Sequence, residues 1–131
     1  MNRYLLDSDV LIWYLRKRSD TRAALHRLQQ ESVPHISVLS IFEVQVGMLP
    51  SEARRTNQFL SGLLQIPLDP AIATLAAQQV RTLRTQGISL SPIDAMIAAT
   101  AMQYGLTLVT YNSRHYPMPE LQLLALPYRV D

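Results

Sequence analysis

The sequence predicts an α/β fold with three layers, in which helices cover both faces of a mostly parallel central sheet. Short apolar runs bounded by polar residues, such as residues 4–6, are typical of strands that are buried on both faces. Segments with apolar residues at helical spacing alternate with these runs along the chain. Such alternation indicates parallel strands joined by right-handed helical crossovers.

The first half of the chain contains two predicted strands and four predicted helices. The basic residues Arg16, Lys17 and Arg18 favour the end of the first helix, since cations are stabilised at a helix C-terminus. Pro34 marks a break before the second strand, and Pro50 closes the third helix. In order, the elements are a strand at 4–6, helices at 10–15 and about 20–30, a strand at 35–37, and helices at 40–48 and 51–64.

The second half begins with a third strand at residues 66–68, which Pro67 restricts to an edge strand or a loop. Asp69 before Pro70 predicts the start of a helix that Gly87 ends. The clearest helix starts at Ser91 and stops at Gly105. Buried strands are predicted at 106–110 and 121–126.

The composition of the chain excludes several classes of protein. At 131 residues the chain is expected to form a single domain over 1–131, and 48% hydrophobic with 17% charged residues argues against disorder. The absence of cysteine excludes disulfides and thiolate zinc sites. Asp7 and Asp9 interrupt the apolar run that a signal peptide needs, and residues 93–109 fall short of a membrane span. We therefore expect a soluble, cytoplasmic protein.

Three acids occur in similar positions relative to the predicted strands. Asp7 directly follows the first strand, Glu43 is predicted in the first turn of the helix after the second strand, and Asp94 opens the helix that leads to the fourth. Each could simply cap a helix. Asp7 could be an N-cap residue itself, and a serine precedes Glu43 and Asp94 by three residues, as in a capping box. Together, however, they could converge at the carboxyl edge of the sheet. Clustered carboxylates suit Mg²⁺ or Mn²⁺, which bind substrate phosphate, so the pattern indicates phosphate chemistry.

Four ordered segments resemble the PIN-domain ribonucleases, and among them the VapC-type toxins of bacterial toxin–antitoxin pairs. The segments are LLDSDVLIWYL, ISVLSIFEVQVG, SPIDAMIAATAMQYG and LVTYNSRHY, and they extend nearly from end to end of the chain. The resemblance implies a PIN-like fold and assigns metal binding and catalysis to Asp7, Glu43 and Asp94. It assigns the hydroxyl position beside the first acid to Ser8. Asp9 stands where the family often has Asn and is expected to orient the cluster rather than bind metal, so that Ser8 and Asp9 are both candidates for positioning substrate or water.

The last segment departs from the family pattern. Where relatives commonly place a further acid after the fourth strand, this chain has Asn112 and, three residues later, His115. The departure puts a tightly held second metal in doubt, although Asn112 could still supply a carbonyl oxygen or orient a water. His115 could contact the scissile phosphate when protonated, and it could equally be a loop histidine without a catalytic role.

The resemblance further implies an activity and partners. The activity is metal-dependent hydrolysis of RNA with Mg²⁺ or Mn²⁺ as cofactor, giving a 5′-phosphate product. A cognate antitoxin protein and a homodimer are the expected protein partners. Contacts to the RNA backbone could come from basic residues around the cleft, each of which could also be ordinary solvated surface. The candidates are Arg16, Lys17, Arg18, Arg22, Arg81, Arg84 and Arg114.

Two other acid-pocket enzymes or domains fit parts of the sequence. A haloacid-dehalogenase-type phosphatase also carries Asp-x-Asp after a strand, as Asp7 and Asp9 do, and a phospho-receiver domain has a similar size. Both would require a lysine in the later part of the chain. Lys17 is the only lysine and lies near the N-terminus, which weighs against both alternatives.

A third alternative is a PIN-like binding module whose site has degraded with the loss of the fourth acid. An exposed Trp13, Tyr14 or Met48 would then fit a groove for a partner helix, although each could be ordinary core. The presence of Asp7, Glu43 and Asp94 together favours activity.

Overall fold

A computed structural model describes residues 2–127, in which five strands form one parallel sheet. The strands lie in the order β3-β2-β1-β4-β5, so β1 is central. Their bounds are β1 Tyr4–Leu6, β2 His35–Ser37, β3 Leu64–Ile66, β4 Thr107–Thr110 and β5 Leu123–Ala125. The predicted α/β class with a parallel sheet is confirmed.

The helices divide between the two faces of this sheet. Helices α1 to α4 connect β1 to β2 and β2 to β3, whereas α5 and α6 cross back from β3 to β4. Right-handed crossovers that run in opposite directions place their helices on opposite faces, which produces the three-layer arrangement. The bounds are α1 Ser8–Leu15, α2 Ser19–Gln29, α3 Val38–Gly47, α4 Ala53–Ser61, α5 Pro70–Thr85 and α6 Pro92–Tyr104.

The central strand contributes to a core on each face. Leu5 packs into the cluster formed with α5 and α6, whereas Tyr4 and Leu6 belong to the cluster beneath α1 to α4. All three side chains are buried, because successive side chains of a strand point to opposite faces. The end of β1 is thereby held firmly from both sides. Among the helices of the described part of the chain, none is long and apolar enough to cross a membrane.

Helix α3 starts earlier than predicted. Ser37, at the end of β2, has the extended backbone of an N-cap, and its Oγ accepts from the Leu39 N–H at 3.1 Å. Ser40 therefore lies inside the helix and is buried. The predicted capping box of Ser40 and Glu43 is wrong, and Glu43 belongs to the second turn of α3 rather than the first.

The segment predicted as one helix over 51–64 is divided. A 3₁₀ turn at Pro50–Glu52 precedes α4, and Gly62 follows the helix at its C-cap. Leu64, which was predicted as the last residue of that helix, instead begins β3 and is 49% exposed. The strand ends at Ile66, since Pro67 has no N–H to donate, and β3 lies at the sheet edge as predicted.

Candidate active site

The predicted site residues lie at the carboxyl edge of the sheet. Asp7 follows β1, Thr110 ends the neighbouring strand β4, and Ser37 ends β2 on the other side. The chain leaves β1 towards β2 and returns from the far side to β4, so β1 lies at the point where the strand order changes direction. In open parallel sheets, ligand sites form in the crevice at this point.

The Asp7 carboxylate is buried and accepts three hydrogen bonds. Its Oδ1 accepts from the Ser8 N–H at 2.8 Å, which is the N-cap interaction of α1. Its Oδ2 accepts from Thr110 Oγ1 and from Tyr116 Oη, each at 2.8 Å. The helix-cap role and a place in the candidate site are therefore combined in one residue.

Glu43 reaches the site through Ser8. Ser8 Oγ donates to Glu43 Oε1 at 2.6 Å and also lies 2.9 Å from Ser40 Oγ. Both serines are buried, whereas Glu43 is half-buried and lines a cleft between α1, α3 and α4. Because Ser40 lies inside α3, its hydroxyl does not cap the helix and instead contacts Ser8 beside Glu43.

Asp94 approaches from the first turn of α6. Its Oδ1 lies 3.3 Å from Tyr116 Oη, and its Oδ2 lies 3.6 Å from His115 Nδ1. The Ser91 side chain makes no capping hydrogen bond to the described residues, so the predicted capping box with Asp94 does not form. Burial and the charge of Asp7 raise the pKa of Asp94, which His115 partly opposes and Glu43 reinforces.

Asp9 is linked to the loop after β4. Its Oδ2 accepts from the Tyr111 N–H at 3.1 Å and from Asn112 Nδ2 at 2.8 Å. Its Oδ1 is buried, and no described residue donates to it. Burial and the charge of Asp7 raise the pKa of Asp9 to about 7. Asn112, which stands in place of the expected fourth acid, therefore directs its amide towards Asp9.

Tyr116 is a site residue that the sequence reasoning missed. Its ring is buried, and its hydroxyl lies within hydrogen-bonding distance of both Asp7 and Asp94. Burial and these two negative charges hold the pKa of the phenol far above its usual value, so the hydroxyl is a hydrogen-bond donor. Its place in the segment LVTYNSRHY was the only available signal, since a tyrosine there is equally consistent with core packing.

The donor set fits a hard divalent cation, although it is not a complete cage. Within residues 2–127, no three His, Asp or Glu side chains are close enough together to hold an ion by themselves. Mg²⁺ commonly keeps several waters and takes only one or two carboxylates plus substrate phosphate, so a complete cage is not required. Burial and the negative charge of Asp7 raise the pKa of Asp94 and Asp9, and a cation beside these acids would offset both effects and give the unpartnered Oδ1 of Asp9 a partner.

The basic candidates occupy different surroundings. Arg18 lies over the rings of Trp13 and Tyr111, at 5.1 and 5.3 Å, and pairs with Asp20. Arg16 lies over Trp13, and Arg22 over Tyr14. Arg114 lines the cleft that contains Asp94 and His115. Arg81 and Arg84 line a groove along α5.

The side chains proposed for a partner groove are not fully exposed. Trp13, Tyr14 and Met48 are each half-buried, and the Tyr14 ring stacks on Phe59. The large exposed apolar side chains of α3 and the turn after it are instead Phe42, Val46 and Leu49.

Comparisons with known proteins agree over nearly the whole chain. The family model for the PIN domain matches residues 4–121. Ribonuclease VapC10 of Mycobacterium tuberculosis is 35% identical over 116 residues, which span 88% of this chain and 87% of that protein. A solved structure of DNA-bound VapBC from Salmonella typhimurium matches with 25% identity and a TM-score of 0.82, over 95% of this chain and 98% of its own. A toxin–antitoxin complex from Klebsiella pneumoniae matches with 26% identity and a TM-score of 0.76, over 97% and 99%.

Proposed function

The chain belongs to the PIN-domain family, and from this premise we propose that it is an endoribonuclease that uses Mg²⁺ or Mn²⁺ to hydrolyse RNA phosphodiester bonds. We also propose that residues 1–131 act as one PIN-like domain, the toxin of a type II toxin–antitoxin pair. The match to a protein named ribonuclease VapC10, and to a toxin–antitoxin complex, supports both parts of the proposal.

One observation carries the enzymatic proposal. Asp7 and Asp94 come from separate elements and approach the same hydroxyl of Tyr116, while Ser8, the residue next to Asp7, donates to Glu43. A fold stabilised only by helix capping would not need three acids connected in this way at the edge of a sheet. The arrangement is instead suited to binding a cation beside a phosphate.

In this proposal Asp7, Glu43 and Asp94 would hold the cation, together with water and the substrate phosphate. When bound, the ion would supply Lewis acidity for hydrolysis. In that reaction water attacks the phosphorus in line with the bond to the 3′ oxygen, which leaves, and the product carries a 5′ phosphate. The three hydrogen bonds to Asp7 keep its carboxylate in place, and Ser8 directs Glu43. These constraints reduce the reorganisation that binding would otherwise cost.

Three further polar or basic side chains would act on the substrate or its water, and Asn112 would act through one of them. Asp9, held by Asn112, presents an unpartnered Oδ1 that would accept from a water. His115 is exposed beside Asp94 and, when protonated, would donate to the RNA phosphate. Arg114 lines the same cleft and would position the RNA backbone without reading its sequence.

We propose a cognate antitoxin protein and a homodimer as the protein partners, and the cytoplasm as the compartment, where the RNA substrate is found. The similarity to toxin–antitoxin complexes supports the antitoxin. Light scattering coupled to size-exclusion chromatography tests the homodimer, since the purified chain should then elute at twice its monomer mass. A monomer across the micromolar range would contradict it.

The enzymatic proposal is tested by cleavage of a mixed RNA pool with Mg²⁺ or Mn²⁺, against EDTA. Asp94→Asn removes one proposed ligand, and Glu120→Gln, an exposed acid in the loop before β5, is the matched control. We expect cleavage with metal, at least a hundredfold loss in Asp94→Asn, no change in Glu120→Gln, and 5′-phosphate products that a 5′-phosphate-dependent exonuclease degrades. Cleavage that survives EDTA or the Asp94 substitution, or no cleavage at all, would overturn the proposal.

A further inference from the structure

Tyr116 connects two acids that belong to different layers of the fold. Asp7 follows the central strand β1, and Asp94 lies in the first turn of α6 on one face of the sheet. Tyr116 Oη lies 2.8 Å from Asp7 Oδ2 and 3.3 Å from Asp94 Oδ1. Among the described hydrogen bonds, no other side chain contacts both carboxylates.

The position of this hydroxyl is rigid. The Tyr116 ring is 3% exposed and packs in the core cluster that contains α5, α6 and the neighbouring Met118. A ring held on all sides cannot swing its hydroxyl away when the charge around it changes. Tyr116 therefore defines where the Asp94 carboxylate can meet that of Asp7.

The Tyr116 hydroxyl approaches more acceptors than a buried tyrosine needs. One hydrogen bond to Asp7 would be sufficient for a buried tyrosine. The Asp7 Oδ2 atom, in turn, already accepts from Thr110 Oγ1 at 2.8 Å. The additional approach to Asp94 is thus required neither by the phenol nor by Asp7. It places a neutral donor between two carboxylates that otherwise repel each other.

We propose that Tyr116 is a positioning residue for the cation site: its single hydroxyl proton, shared between Asp7 Oδ2 and Asp94 Oδ1, ties the two carboxylates so that they face a shared cation as one preorganised pair. This inference rests on the proposed function only in taking the two acids as cation ligands. Hydrogen-bonding partners of ligating carboxylates contribute about 10- to 100-fold to metal affinity. In this chain the tie matters more because the acids do not form a complete cage by themselves within residues 2–127.

The test is the Mn²⁺ affinity of the full-length protein without RNA, measured from the electron paramagnetic resonance signal of unbound Mn²⁺. Tyr116→Phe removes the hydroxyl and keeps the buried ring. Thr110→Val is the comparison variant, because it removes the other hydroxyl on Asp7 Oδ2, together with that hydroxyl's contacts to Asp9 Oδ2 and the Asn112 N–H, and leaves the link to Asp94 intact. We expect Tyr116→Phe to weaken Mn²⁺ binding by about tenfold. Thr110→Val should weaken it by a smaller factor, because the contact that joins Asp7 to Asp94 remains.

Three outcomes would overturn the inference. The first is an affinity of Tyr116→Phe for Mn²⁺ within a factor of two of wild type. The second is an equal loss of Mn²⁺ affinity in Thr110→Val, which would mean that removing either hydrogen bond to Asp7 has the same effect. If such a result accompanies metal-dependent RNA cleavage by the wild type, the proposed function still stands. The third is a wild type that neither binds Mn²⁺ nor cleaves RNA, which would overturn both proposals.

A measurement on the wild-type protein avoids dependence on the folding of the variant. In protein labelled with ¹³C at the tyrosine ε positions, Mg²⁺ should shift the Tyr116 ring resonance with the same midpoint as cation binding. A Tyr116 resonance that stays constant while Mg²⁺ binds would contradict the proposed tie.

Discussion

The hydroxyl of Ser8 donates to Glu43 Oε1 at 2.6 Å and so joins the first residue of α1 to the second turn of α3. Glu43 is half-buried, and its long side chain would otherwise sample several rotamers. Ser8→Ala should therefore lower kcat/KM for RNA cleavage by about tenfold, because Glu43 loses the group that directs it.

The matched control for that substitution is Ser32→Ala. Ser32 is half-buried, and its hydroxyl donates to the backbone carbonyl of Asn2, away from the site. The measurement is the initial rate of cleavage of one RNA substrate by each variant and by wild type. Equal rates for Ser8→Ala and wild type would show that Ser8 does not direct Glu43 during cleavage.

Protonation of the Asp9 carboxyl should make the free energy of unfolding depend on pH. Its folded pKa, raised to about 7 by burial and by Asp7, exceeds the ordinary value of 3.8, so the folded state binds the proton more tightly than the unfolded state. The stability that this proton confers is fully present below pH 3.8 and is lost as the pH rises through 7. Asp9→Asn, which carries no charge, should not show this loss.

Thermal unfolding in EDTA at pH 5.5 and 8.5 measures the effect of Asp9. We expect the Tm of Asp9→Asn to exceed that of wild type by several degrees at pH 8.5, and by roughly half as much at pH 5.5, which lies about midway between the unfolded and folded pKa values. The same difference at both pH values would mean that the Asp9 carboxyl does not titrate with a raised pKa in the folded protein.

Lys17 has a left-handed backbone, with φ of 65°, at the end of α1. The Lys17 N–H donates to the Tyr14 carbonyl and the Arg18 N–H to the Trp13 carbonyl, which together form a Schellman motif. Glycine adopts this conformation without steric cost. Lys17→Gly should therefore stabilise the protein by about 1 kcal/mol, seen as a rise in Tm of about 4 °C.

Lys17→Ala separates conformation from charge. It removes the ammonium group and keeps the steric cost of the left-handed backbone. We expect its Tm to remain near that of wild type, whereas a rise equal to that of Lys17→Gly would assign the effect to charge.

Divalent cations should stabilise the folded chain. Binding to the native state alone adds about 2.7 kcal/mol at a concentration 100 times the Kd. Mg²⁺ should therefore raise the Tm of wild type by several degrees relative to NaCl of equal ionic strength, and EDTA should reverse the rise. In Asp94→Asn the increase should be largely lost; an equal increase would locate cation binding elsewhere.

Several elements could be predicted from the sequence because the signals are local. The residues of β1 and β2 match their predictions, since short apolar runs between polar residues have few alternatives. The start of α5 at Asp69 and the stop of α6 at Gly105 follow from capping chemistry within a few residues. The start of α3 was missed because Ser37 and Ser40 are equally good caps in sequence. Only the extended backbone at the end of β2 selects Ser37.

By itself, the sequence determined the α/β class, the family and the order in which Asp7, Glu43 and Asp94 occur, because periodicity, capping residues and motif spacing are written along the chain. The tertiary structure alone decided which groups face these acids. Tyr116 is 109 residues from Asp7 and 22 from Asp94, yet its hydroxyl lies between them. Hydrogen bonds of this kind depend on distances across strands and layers, which local spacing does not specify. The physical reason is that a carboxylate's partners are set by how the layers pack.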